Sequence, residues 1–181
     1  MDKLKELFVE QLQDLLHAEI QLVQSLPKMA EAANHPKLKE LFEKHLQQTE
    51  GHVERLKSAF ELIDRKPQPK PCKGMNGLID EGQETIDDHE GEEELAADLA
   101  LIAAAQKVEH YEIAGYGTVR SLARQLGERE IATLLSRTLG EEEGSDYLLT
   151  ELSKPLMQDA SSTNNNPAKI PQVGKPRTRR A

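Results

Sequence analysis

The chain has 181 residues, a formal net charge of −9, 37% hydrophobic residues, 3% aromatics and no tryptophan. That length suits one domain with a sizeable core, and the wealth of Leu, Ala, Glu, Lys and Gln favours helices and excludes a β-rich fold. The lone Cys72 excludes an internal disulfide framework and fits a reducing compartment. No apolar run approaches the ~18 residues of a membrane span, and Met1-Asp2-Lys3 does not open a signal peptide. A cytoplasmic protein is expected.

Four long segments carry apolar residues at helical spacing. The first spans roughly residues 2–33, with Leu4, Phe8, Leu15, Glu19, Leu22, Leu26 and Met29 on its stripe. Asn34-His35-Pro36 ends it, because proline disfavours helix at the preceding residue and suits the first turn of the next. The second runs to about Asp64 and turns Leu38, Phe42, His45, Thr49, His52, Leu56 and Ile63 one way. Lys66-Pro67-Gln68-Pro69-Lys70-Pro71 then forms an extended linker, and a short helix is expected from about Lys73 to Asp88. The third long helix, from about Glu92 to Leu126, carries Leu95, Leu99, Ile102, Ala105, Glu109, Glu112, Tyr116 and Val119 and stops at Gly127. The fourth, from Glu128 to about Lys154, carries Ile131, Leu135, Thr138, Glu142, Ser145, Leu149 and Leu152.

After Pro155 the chain offers few apolar groups to offset the entropy of ordering it. Residues 1–155 are therefore expected to form the bundle and 156–181 a disordered basic tail. From Pro155 on, five Lys/Arg face one Asp, a charge of +4 that leaves −13 on the rest. An acidic body attracts cations and argues against nucleic acid as a main partner, leaving at most a weak contact through the tail.

Short turns make each pair of long helices antiparallel, and the crossover between the pairs is long enough to hold its own helix. This connectivity predicts an all-α, ferritin-like four-helix bundle. Each stripe is broken near its middle by polar residues: Glu19; His45, Gln48 or Thr49, and His52; Glu109 and Glu112; Glu142. A carboxylate facing a core must be paired, protonated or metal-bound. Counting from the two short turns, Glu19 stands level with residue 49 and Glu142 with Glu112. Both hairpins thus bring polar groups to one height, as a dinuclear metal site requires. Arg55, Lys107 or Arg120 could instead pair with a carboxylate in a plain buried salt bridge. His17, His35, His89 and His110 fall off the stripe or in turns and are expected to face solvent.

Several stretches resemble the YciE/YciF group of ferritin-like proteins. They are Leu12-Gln-Asp-Leu-Leu-His-Ala-Glu19, Leu26-Pro-Lys-Met29 and His45-Leu-Gln-Gln-Thr-Glu-Gly-His-Val-Glu-Arg-Leu56, followed by Cys72-Lys-Gly-Met75, Val108-Glu-His-Tyr-Glu-Ile-Ala-Gly-Tyr-Gly-Thr118 and Leu139-Gly-Glu-Glu-Glu143. The resemblance covers residues 1 to about 155. It implies a rubrerythrin-like dimetal site, homodimers and a link to stress responses, with ferroxidase activity often attached to the family name. Two departures stand out. Gln48 replaces a glutamate frequent in the family, and no Glu-x-x-His pair occurs anywhere in the chain, Ser145 standing where a histidine would complete one.

The expected metal set is Glu19, Gln48, His52, Glu109, Glu112 and Glu142, holding two ions per chain. Iron comes first and manganese second, because the set is rich in oxygen and poor in nitrogen. His45, two turns from His52, is placed behind the ligands, and Tyr116 is a nearby redox or hydrogen-bonding group. The expected function is oxidation of Fe(II) by oxygen or peroxide in stress protection. The alternative is a stress-induced structural or binding protein whose polar core fixes helix register.

Overall fold

The computed structural model describes residues 3–89 and 93–164, of which 160–164 by backbone only. These residues form α1 (Lys3–Ala32), α2 (Pro36–Leu62), α3 (Lys73–Asp88), α4 (Glu94–Leu126) and α5 (Arg129–Asn164), with no strand among them. The ends of α1 to α4 follow from local chemistry. Pro36 occupies the first turn of α2, and His35 caps it by accepting a hydrogen bond from Lys37 N. Gly127, at φ +82°, closes α4 in the left-handed conformation that glycine adopts without strain.

The end of α5 differs from expectation, because the helix continues through Pro155 to Asn164. Proline removes one helical hydrogen bond and costs about 3 kcal/mol in a helix interior. Leu156, the next residue, is buried in the same core cluster as Leu26, Ala30 and Leu149, and burial of such a side chain returns about 1.5–3 kcal/mol. The helix thus runs past residue 156, where the tail was expected to begin. The disorder expected of residues 165–181 lies outside the described residues.

Contacts fix the topology. Asn34 N and His35 N donate to Asp98 at 2.8 Å each, Glu19 meets Tyr116 further back along α1, and Phe8 shares a core cluster with Val119 and Ala123, so α1 and α4 run antiparallel. Arg55 meets Thr138 and His52 meets Glu141, so α2 and α5 do likewise. The linker returns along α1, where Lys70 N donates to Gln13 O, and α3 packs across α1 and α4. This is the ferritin-like connectivity.

The core divides into two apolar halves. One gathers Phe8, Leu12, Leu56, Phe60, Val119 and Leu135; the other gathers Leu22, Leu26, Phe42, Leu101, Ile102 and Leu149. Between them the same stripes carry buried Glu19, His45, Thr49, His52, Glu109, Glu112 and Glu142. A Cβ on Gly115 would sit 2.8 Å from Leu15 Cδ2, so a glycine there lets α1 and α4 close tightly beside this layer. No described helix is long and apolar enough to cross a membrane.

Candidate metal centre

Two groups of ligand atoms, each within 4.8 Å of one another, occupy the polar layer: His45, Glu109, Glu112 and Glu142 in one, Glu19, His52 and Glu142 in the other. Glu142 is common to both. All four long helices contribute, and every one of these side chains is buried.

His52 is held from behind. Its Nε2 lies 2.9 Å from Glu141 Oε2, and Glu141 is gripped by Arg55 Nη1 at 2.6 Å and Nη2 at 3.0 Å. Thr138 accepts another bond from Arg55. With Nε2 engaged, Nδ1 faces inward, 2.8 Å from Glu142 Oε1 and 3.3 Å from Glu19 Oε1. Neither contact has hydrogen-bond geometry, and Nδ1 counts among the buried polar atoms without a hydrogen-bond partner. A carboxylate orienting the outer nitrogen of a histidine is the usual support of a metal-binding imidazole.

His45 faces the other group, with Nε2 3.4 Å from Glu109 Oε1 and 3.6 Å from Glu142 Oε2. Ser145 Oγ donates to Glu109 Oε1. Buried Tyr116 donates to Glu19 Oε1. Both oxygens of Glu112 and of Glu142, one each of Glu19 and Glu109, and three ring nitrogens of His45 and His52 lack hydrogen-bond partners. Buried polar atoms are normally satisfied, so this cluster of orphans demands an explanation.

Electrostatics register the same crowding. Burial, reinforced by Glu19, Glu142 and Glu109, pushes the Glu112 carboxyl well above its usual range. Burial also lifts Glu109 to about 8, the Coulombic pull of His45 opposing and Glu142 adding to the rise, and it raises Glu142. Burial disfavours the charged ring of His52, but Glu142 and Glu19 overcome that and hold it at about 10. Burial keeps His45 below its ordinary value.

Of the residues expected from sequence, Glu19, His52, Glu109, Glu112 and Glu142 converge here, with Tyr116 beside them. Gln48 lies at the edge of this layer, its side chain reaching the His45 ring. It is half-buried and lines a small surface cavity with His45, Glu141 and Ser145. His45, expected behind the ligands, stands among them. The ~10 Å axial separation of two turns is bridged because the rings lean together, 6.3 Å between centroids. Thr49 turns its hydroxyl back to His45 O.

Sequence reasoning missed Glu141, whose signal was Arg55, one turn after His52 and in need of an anion. It also missed Asp98, which clamps the α1–α2 turn. His17 was expected in solvent, yet it is half-buried and its Nδ1 accepts from Cys72 N at 3.2 Å. His35 and His89 are likewise half-buried, His35 as a helix cap and His89 near Thr85 O; His110 is exposed. Cys72 is a free, buried thiol but not merely an apolar filler, since Sγ lies 2.9 Å from Tyr111 Oη and 3.3 Å from Asp14 Oδ2.

Fold and site together define a ferritin-like helical bundle with a buried carboxylate–histidine layer that could hold metal. Residues 3–162 match the family described as a domain of unknown function, DUF892, and the chain belongs to that family, the YciE/YciF group. It is 45% identical over 154 residues to Protein YciF of Escherichia coli K12, covering 84% of this chain and 92% of that one. The crystal structure of the E. coli stress protein YciF superposes with a TM-score of 0.83 at 43% identity, covering 87% of this chain and 99% of that one. YcfI of Rhodopseudomonas palustris, provisionally described as a structural protein, gives 0.78 at 37% identity over 81% and 92% of the two chains. A Xanthomonas campestris protein at 20% identity, TM-score 0.69 over 90% and 99%, shares the fold.

Proposed function

We propose that the polar layer binds two metal ions per chain, with iron as the metal, and that Fe(II) is oxidised there by oxygen or peroxide as part of stress protection in the cytoplasm. The observation that carries this reading is the pair of buried carboxylate–histidine groups drawn from four helices, most of whose polar atoms lack hydrogen-bond partners. Oxygen-rich donors with two imidazoles suit iron, or manganese, better than zinc or copper. His45, Glu109, Glu112 and Glu142 would hold one ion, and Glu19, His52 and Glu142 the other. Bound iron supplies the electrons for reducing the oxidant.

The chain's own residues supply the rest. Glu109, Glu112 and Glu142 give up protons on loading, so affinity rises with pH. Glu141 and Arg55 fix the His52 ring, and Tyr116 fixes one oxygen of Glu19. The name of E. coli YciF as a stress protein supports the physiological setting. A second reading, a structural protein whose polar layer sets helix register, draws on the description of YcfI and requires no metal.

Stopped-flow mixing of anaerobically Fe(II)-loaded protein with oxygen, and separately with peroxide, tests the proposal. Iron should be oxidised much faster than in protein-free buffer, and Glu19→Ala should abolish the difference. Equal rates with and without protein would favour the structural reading. The partner is proposed to be a second copy of the chain, as the family resemblance implies, and exposed Tyr147 and Leu148 on α5 offer it apolar surface. Sedimentation equilibrium should then return twice the chain mass, and a monomer at micromolar concentration contradicts a dimer.

A further inference from the structure

Beneath α3 lies a cavity of about 160 Å³. Its outer end is bordered by exposed Lys28 and Asp80. Its walls are apolar, with Leu26, Met29, Phe42 and Ala105 prominent among them. Its inner end is His45 and Glu109, whose Nδ1 and Oε2 atoms are buried and lack hydrogen-bond partners. The cover is thin, because α3 buries only Met75 and Gly82 along its whole length, and Gly82 leaves Met29 Sδ 4.0 Å from where a Cβ would stand.

Size and chemistry restrict the occupant. An apolar cavity of about 150 Å³ accepts benzene, so this one takes an apolar body of that order. An entirely apolar ligand would leave the inner polar atoms unsatisfied, which is unfavourable for buried donors and acceptors. We infer that the cavity is a binding site for a small amphiphile, an apolar body carrying one hydroxyl or hydroperoxyl head that meets His45 and Glu109 at the edge of the carboxylate layer. Ions would take another route, since the surface cavity lined by Lys44, Gln48, Glu141 and Ser145 reaches His45 from the α2–α5 side. The inference deepens the proposed function by naming the class of organic reactant, but the binding itself does not need metal.

That independence shapes the test. The full chain, stripped of metal and labelled with ¹³C at its methionine methyls, is titrated with phenol and with benzene. Met29 lines the cavity, whereas Met157 is exposed, so an internal control is built in. Phenol should shift the Met29 methyl to saturation while Met157 stays still. Benzene should bind about tenfold more weakly, the factor that corresponds to losing one head-group contact of about 1.4 kcal/mol. Ala105→Leu, which fills the cavity, should weaken phenol by at least as much, and the wild-type comparison stands even if that variant folds poorly. An unsaturated or uniform response, or benzene binding as tightly as phenol, overturns the inference whatever the metal content proves to be. Tert-butanol against tert-butyl hydroperoxide separates the two head groups. Tighter binding of the hydroperoxide identifies the peroxide as the natural class, and equal binding identifies the alcohol head as sufficient.

Discussion

Metal-free protein carrying Glu112→Gln should be more stable than wild type by about 2–3 kcal/mol at pH 7, a rise of roughly 5–10 °C in melting temperature. Both Glu112 oxygens are buried and lack hydrogen-bond partners, and burial, with Glu19, Glu142 and Glu109 nearby, pushes its carboxyl well above the usual carboxylate range. An unfolded glutamate is ionised at pH 7, so folding must supply that proton and loses the corresponding free energy. The amide is neutral in both states and avoids the cost. The gain should shrink to almost nothing at pH 4.5, where the unfolded carboxyl is itself half protonated. The same substitution removes an anionic ligand and should weaken Fe(II) binding by about tenfold or more. A variant that is both more stable and worse at binding marks a group retained for function at the expense of stability. Loss of stability in the metal-free variant would show that Glu112 makes a structural contact instead.

Stability of the metal-free protein should fall as pH rises from about 5 to 8, by on the order of 3 kcal/mol or 6–12 °C. Glu109, Glu112 and Glu142 have folded-state values raised above the unfolded one. Stability is therefore greatest below the unfolded value and is lost as pH climbs, through about 8 for Glu109. His52, raised to about 10, acts in the same direction above its unfolded value of 6.5. His45, lowered by burial, opposes this below 6.5, because folding then demands a neutral ring. Glu141 is held below its usual range, Arg55 and His52 outweighing its burial, and costs stability only in more acid solution. The cleanest window is thus 6.5 to 8, where the three buried carboxyls and His52 agree in sign. Loading with metal replaces the protons and should flatten the profile. Thermal melts of stripped and loaded protein across that window decide the matter, and identical profiles would contradict a site built from these carboxylates.

How much of this was legible in the sequence follows from the physics of each signal. The helices could be read because their apolar stripes recur over many turns, and Pro36 and Gly127 mark ends by covalent geometry alone. The end of α5 could not, because one buried side chain, Leu156, decides it, and periodicity carries no account of what packs beyond a proline. In the site, Glu19, Glu109, Glu112 and Glu142 declared themselves as charges on an apolar stripe. His45 was misplaced because axial rise was the only distance available, whereas side chains reach several ångströms along a helix and lean toward a shared carboxylate. Glu141 sits next to Glu142 but off the stripe, where its pairing with Arg55 depends on how α2 and α5 are rotated. Gln48 was legible from its mid-stripe position as well as the family pattern, and the structure places it half-buried at the edge of the layer beside His45. The Asp14–Cys72–Tyr111 cluster joins α1, the crossover and α4, a juxtaposition that no single helical period can reveal.

The central claim is a pair of ion sites sharing Glu142. Anaerobic Fe(II) titration by calorimetry, with elemental analysis of the same samples, addresses it most directly. Wild type should bind two ions per chain, His45→Ala and His52→Ala should each lose one, and Glu142→Ala should lose both because its carboxylate belongs to both ligand groups. A wild-type protein that takes up no iron, or a Glu142→Ala variant that still binds two ions, would contradict the account.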